Sequence, residues 1–123
     1  MIEDGISNDV IGCAINIHKL FGPGLLESAY KEFLCYDLRE IGYHVDKERS
    51  MPVVYKEVKL DLGYRLDFVV EDMVVLEIKR VEKVSDVHIA QLLTYMKLGG
   101  YRLGLIINFQ TKLLKDGIKR LIL

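Results

Sequence analysis

Asp67, Glu77 and Lys79 are the residues on which chemistry can first be built. They lie in the stretch Tyr64 to Lys79, which reads as a β-hairpin: two runs of β-branched and aliphatic residues around a polar Glu71-Asp72 turn. With the loop centred on Asp72, Val69 faces Val75 and Asp67 faces Glu77, so both carboxylates and Lys79 share one face. A like-charge pair across exposed strands costs from a few tenths to about 1 kcal/mol, and burial raises that cost. It is held most easily with a cation between the carboxylates or a proton on one of them. A two-residue turn would set Asp67 against Leu76 and send Glu77 to the opposite face, so the register is decisive.

Two helical segments supply further groups. In a helix running from Gly24 to about Ile41, Leu26, Tyr30, Phe33, Leu34, Leu38 and Ile41 form an apolar stripe, and Glu27 projects within it. With Gly24 as N-cap, Glu27 stands at N3, where a carboxylate also favours the helix dipole. Tyr30, a core aromatic one turn on, can position Glu27. In a second segment, capped by Ser85 and closed by Leu98-Gly99-Gly100, Ile89, Leu92, Leu93 and Met96 face the core. His88, Gln91 and Tyr95 stack along the flank of that stripe, within reach of a helix–sheet boundary.

Carboxylates with no Cys cluster or His pair suit a hard cation, so Mg²⁺ or Mn²⁺ is favoured over Zn²⁺. Glu27, Asp67, Glu77 and the backbone carbonyl of Ile78 are the candidate ligands. Beside them Lys79 can orient a nucleophile and offset charge building on phosphorus. The chemistry this describes is metal-assisted phosphodiester hydrolysis. An alternative is a structural ion-pair network around Lys79 and Arg65. Gly22-Pro23-Gly24 joins two helices rather than a strand and a helix, so it is not a phosphate-binding loop. His18 and His44 are isolated and read as structural or surface residues.

The remaining elements must carry these groups. Ser7 as N-cap, with Val10, Ala14, Ile17 and Phe21 at helical spacing, predicts a first helix ending near Leu20. Tyr43-His44-Val45 reads as a short strand before the charged run Asp46 to Arg49. Pro52 to Tyr55 and Val58 to Leu60 read as strands around Lys56-Glu57. The hairpin's second face, Leu66, Phe68, Val70, Val74, Leu76 and Ile78, calls for a helical cover. Tyr101 to Phe109 reads as a buried strand and Ile118 to Ile122 as the last one. The order, α-α-β-β-β-β-β-α-β-β, predicts an α/β (α+β) three-layer sandwich on a mixed sheet.

With 123 residues, half of them hydrophobic, the chain suffices for one globular domain spanning 1–123. No apolar run is long enough to span a membrane, and no basic leader with an apolar segment opens the chain. Cys13 and Cys35 lack metal-ligand spacing, which suits buried thiols and a reducing, cytoplasmic setting. The formal net charge is −1, but charge is uneven: 5 basic and 9 acidic residues precede Met51, and 12 basic and 9 acidic follow it. The hairpin half is the more basic, as docking of a polyanion requires.

These residues resemble a known group. Asp67…Glu77-Ile78-Lys79 on a hairpin, after a helix carrying Glu27, is similar to the PD-(D/E)xK nuclease superfamily. Gln91-Leu92-Leu93-Thr94-Tyr95 resembles the Q-x-x-x-Y element of its RecB and lambda-exonuclease-like branch. Gly24-Leu25-Leu26-Glu27-Ser28-Ala29-Tyr30 resembles the G-x-x-E-x-x-Y signature of the small GxxExxY family within it. Phe21 to Gly24, Tyr64-Arg65-x-Asp67, the His88 to Leu93 helix and Ile106-Ile107-Asn108-Phe109 extend the likeness over nearly the whole chain. Leu66 stands where the motif's Pro would be. The resemblance implies a restriction-endonuclease-like fold and a metal-dependent nuclease acting on nucleic acid, DNA first. It makes Asp67 and Glu77 metal ligands, Lys79 the catalytic lysine, Glu27 the helix-borne acid, and Gln91 and Tyr95 a second wall. The rival reading is a catalytically silent nuclease-fold subunit that binds nucleic acid or serves as an adaptor. Size alone makes a homodimer plausible.

Overall fold

Helix-period stripes open the chain, alternating strands fill its middle, and one further helix separates these from the last two strands. The computed structural model describes all residues, 1–123. Its elements are α1 (Ile2–Phe21), α2 (Glu27–Ile41), β1 (Val45–Ser50), β2 (Val53–Tyr55), β3 (Val58–Leu60), β4 (Arg65–Val70), β5 (Val74–Lys79), α3 (Asp86–Gly99), β6 (Leu103–Asn108) and β7 (Ile118–Ile122), with a 3-10 turn over Leu114–Gly117.

The main sheet has the order β1-β4-β5-β6-β7, and β2-β3 forms a small ribbon of its own. Only β5 and β6 run parallel, because α3 carries the chain back between them; the other neighbours are antiparallel. The sheet is therefore mixed, with helices on both faces. On one side Val10, Ala14 and Ile17 of α1 and Tyr30, Leu34 and Leu38 of α2 bury against Phe68, Val70, Val74, Leu76, Ile78 and Leu105. On the other, Leu92 and Met96 of α3 cover Val69, Val75 and Ile106. Each fully buried aliphatic side chain contributes about 1.5–3 kcal/mol, so these layers fix the sheet that carries the hairpin. The expected three-layer α/β sandwich is the observed architecture.

Four local expectations are corrected. Ser7 does not cap α1; the helix starts at Ile2, and Ser7 Oγ donates to the Asp4 carbonyl inside it at 3.2 Å. Glu3 and Asp4 in the first turn suit the positive end of the helix and let it begin early. Glu27 is the first residue of α2 rather than its third, because Leu26 is extended. Buried Tyr30 holds this linker: its hydroxyl accepts from the Leu25 N–H at 3.0 Å and donates to the Gly22 carbonyl. The strand after α2 covers the charged run rather than Tyr43-His44; β1 pairs only with β4, and an edge strand can turn charges to solvent. Finally, Leu66 does not share a core with Phe68 but joins the α3-side cluster.

Candidate functional site

The hairpin has the register that brings the carboxylates together. Val70 faces Val74, Val69 faces Val75 and Phe68 faces Leu76 around the loop Glu71-Asp72-Met73. Glu71 and Asp72 take left-handed backbone angles, φ 53° and 55°, and the Met73 N–H closes the turn on the Val70 carbonyl at 3.0 Å. One step further along the same register, Asp67 stands opposite Glu77.

There the strands part. The Ile78 N–H donates to Asp67 Oδ2 at 2.8 Å, and the Asp67 N–H donates to Glu77 Oε1 at 3.3 Å. Two carboxylates thus take hydrogen bonds that backbone partners would otherwise hold. Side-chain alternation along β4 breaks at the same point, since Leu66 packs toward α3 and Phe68 toward α1 and α2. Opposite Asp67 on β1, Glu48 is left-handed, φ 53°. The Asp67 carboxylate therefore lies in the opening between β4 and β5, within reach of α2. N–H and C=O of one strand residue point the same way, so the Ile78 carbonyl faces this opening too.

What reaches Asp67 from α2 is a lysine absent from the sequence-derived set. Lys31 Nζ lies 3.1 Å from Asp67 Oδ1 and 3.4 Å from Glu27 Oε2, joining the two acids. Burial disfavours its ammonium, but the bonds and charges of Asp67 and Glu27 outweigh this and raise its pKa above the usual lysine value. The signal was present in the sequence: Glu27 and Lys31 are spaced i, i+4, on one helix face. The ion-pair network expected around Lys79 and Arg65 is instead built on Lys31; neither of the other two makes an ion pair.

Glu77 carries the strongest electrostatic stress. Burial first, and the Asp67 charge second, push its carboxyl up to about 8, with the Asp67 N–H and the Lys79 charge offsetting part of this. Lys79, half-buried at the end of β5, is anchored by its carbonyl, which accepts from the Phe109 N–H at 3.0 Å.

On the α3 side, Gly104 in β6 permits a close approach: a Cβ there would lie 2.7 Å from Met96 Sδ. That contact settles α3 onto the sheet. Gln91 is exposed and donates from Nε2 to the Tyr95 hydroxyl at 3.0 Å. Burial raises the Tyr95 phenol, the Gln91 bond opposes this, and the charges of Glu77 and Tyr64 add to the rise. His88 is not drawn in. Its Nδ1 accepts from the Ser85 N–H at 3.1 Å while its own N–H donates to Ser85 Oγ at 3.2 Å, a reciprocal cap on α3. Arg65 is exposed at the start of β4. Tyr30 stacks on Phe109 at 4.2 Å and acts on Glu27 only through the linker it ties.

The donors are all hard oxygens: Asp67, Glu77, the Ile78 carbonyl and, behind Lys31, Glu27. No three acidic, Cys or His side chains close into a metal cage. The oxygen donors nonetheless suit a divalent cation, since two of the carboxylates already draw an ammonium between them, and burial beside Asp67 holds the third, Glu77, above its normal range. Lys31 occupies the place between Glu27 and Asp67.

A family model for the PD-(D/E)XK nuclease superfamily matches residues 4–121 of the chain. No curated protein and no solved structure matches it. No helix is long and apolar enough to cross a membrane.

Proposed function

Since this chain belongs to the PD-(D/E)XK nuclease superfamily, we propose that it is a metal-dependent nuclease that hydrolyses phosphodiester bonds of DNA. Within the superfamily, the G-x-x-E-x-x-Y pattern at Gly24 to Tyr30 supports a place in the GxxExxY group. The observation that carries the reading is the meeting of Asp67 and Glu77 in the opened end of the β4–β5 ladder, with Lys79 two residues on. Asp67, Glu77 and the Ile78 carbonyl would hold Mg²⁺ or Mn²⁺, and Glu27 would complete the set. When bound, the metal supplies Lewis-acid stabilisation of charge on the phosphoryl group.

The rest falls to the chain's own side chains. The Lys79 ammonium, free of any carboxylate partner, donates hydrogen bonds that orient a water and stabilises negative charge as it grows on phosphorus. Glu77 and Asp67 hold the backbone of the two strands in the parted geometry through the bonds to Asp67 N and Ile78 N. Gln91 and Tyr95 bound the site on its α3 side.

The test is cleavage of single-stranded, duplex and branched DNA, and of RNA, by purified protein with Mg²⁺ or Mn²⁺, beside Lys79→Ala. Loss of a positioned proton-transfer group costs roughly 10²–10⁴-fold. Wild-type cleavage no greater than that of Lys79→Ala on every substrate would leave the alternative, a silent subunit that binds nucleic acid in a salt-sensitive, metal-independent way.

A further inference from the structure

Between α3 and the segment that leads into β4 lies a groove of about 350 Å³, lined by Val53, Leu62, Tyr64, Gln91, Tyr95 and Leu98 among others. Its volume is at the lower end of small-molecule pockets, roughly 300–1,000 Å³. Its walls are apolar and aromatic and no carboxylate lines it. Tyr64, Leu62 and Leu98 are 41%, 56% and 43% exposed, an unusual degree for large apolar side chains grouped at one place.

The Tyr64 and Tyr95 rings stand 5.7 Å apart and tilted by 44°. They form an open wedge rather than a closed stack, and Tyr64 remains exposed. The wedge is firmly held. The Tyr64 carbonyl accepts from the Met51 N–H at 2.8 Å, prolonging the β1–β4 pairing, and the Tyr95 hydroxyl accepts from Gln91 Nε2. Gln91 keeps its amide carbonyl and a second N–H for another partner.

The groove lies near the carboxylate site: Tyr64 precedes Asp67 by three residues along extended chain, about 10 Å. An apolar aromatic wedge and an amide with spare donor and acceptor capacity together match one nucleobase: a π-face and a polar edge.

We propose that this groove is a stacking subsite for an unpaired nucleobase flanking the scissile phosphate, so that the substrate is single-stranded DNA or a frayed end rather than an intact blunt duplex. Bases within a duplex already stack on one another and offer no free face, whereas an unpaired base gains stacking on tyrosine whatever its identity. The inference rests on the nuclease reading and adds the substrate class to it.

The experiment measures binding of the full chain, in EDTA, to three probes: a single strand carrying one 2-aminopurine, the same strand with an abasic site there, and its blunt duplex. Wild type binds the first most tightly and quenches its fluorescence. Tyr64→Ala loses the quenching and about 5- to 100-fold of affinity, the range for one base–aromatic stack. Tyr64→Phe, which keeps the ring, retains both. Equal binding of duplex and single strand, or an unchanged Tyr64→Ala, overturns the proposal while Lys79-dependent cleavage would leave the nuclease reading standing. A dimer that dissociates on Tyr64→Ala overturns it in favour of a second copy of the chain. Absence of nucleic-acid binding and cleavage by any form of the protein overturns both.

Discussion

Replacing Glu77 with Gln should stabilise the metal-free protein, and only above acid pH. Burial and the Asp67 charge lift this carboxyl from the ordinary 4.5 to about 8 in the folded chain. Below pH 4.5 the group is protonated whether folded or not and contributes no difference. Between 4.5 and about 8 the folded state keeps the proton that the unfolded state releases, so stability falls as pH rises and levels off above the folded value. At 1.36 kcal/mol per pH unit the ceiling of that loss is about 5 kcal/mol, and relaxation of the side chain and water entry leave a few kcal/mol. Glutamine stays neutral throughout and can still accept from the Asp67 N–H. Glu77→Gln should therefore match wild type near pH 4 and exceed it by a few kcal/mol at pH 9, on the order of 10 °C in melting midpoint for a domain of this size. Urea unfolding at closely spaced pH values reads the difference, because titrating groups away from the Asp67–Glu77 pair cancel between the two proteins. Adding Mn²⁺ at pH 8.5 should raise the wild-type midpoint and leave that of Glu77→Gln unmoved. Parallel stability curves from pH 4 to 9 would refute the claim that Glu77 is stressed by burial beside Asp67.

Two further changes probe the helix side of the site. Lys31→Met removes the ammonium that competes for Glu27 and Asp67; Mn²⁺ affinity by calorimetry should rise about tenfold, the equivalent of roughly 1.4 kcal/mol, while the metal-free protein loses about 1–3 kcal/mol as two acids lose their shared partner. Unchanged affinity would mean that Lys31 and the metal do not compete. Tyr30→Phe keeps the stack on Phe109 but unties Leu25 and Gly22; we expect a loss of about 1–2 kcal/mol in urea unfolding and weaker Mn²⁺ binding, because Glu27 starts its helix directly after this linker.

The hairpin was legible because its register follows from one choice, a loop centred on Asp72, and every side chain then falls on a known face. Buried strands and the Ser85 cap were legible for the same reason: composition and punctuation agree over short range. Glu27 at N3 was not, because the residue that sets the start of α2 is Tyr30, folding back over the linker. Leu66 was misplaced since strict alternation assumes a regular strand, and β4 is irregular at Asp67. His88 shares the helical flank with Gln91 and Tyr95, so spacing grouped the three; only the cap it forms with Ser85 shows that it serves the helix end. The i, i+4 spacing of Lys31 from Glu27 was legible, but its pairing with Asp67 was not, because Asp67 lies on another element and no periodicity discloses that contact.

Asp67 is where these observations join. In a regular ladder its carboxylate would face α3 with Val69 and Val75, and nothing on α2 could reach it. Parting of the strands turns it into the opening, where it takes the Ile78 N–H, crowds Glu77 and draws Lys31 from the opposite layer. The irregularity costs a backbone pair and places a left-handed Glu48 across from it, a departure of the kind that ordinary structure does not keep without return. What the departure provides is an acid approachable from both faces of the sheet: α2 can bring a carboxylate from one side while α3 lines the approach from the other. A hairpin with intact pairing to its end would present two carboxylates to one face only, and Lys31 could not join Asp67 to Glu27.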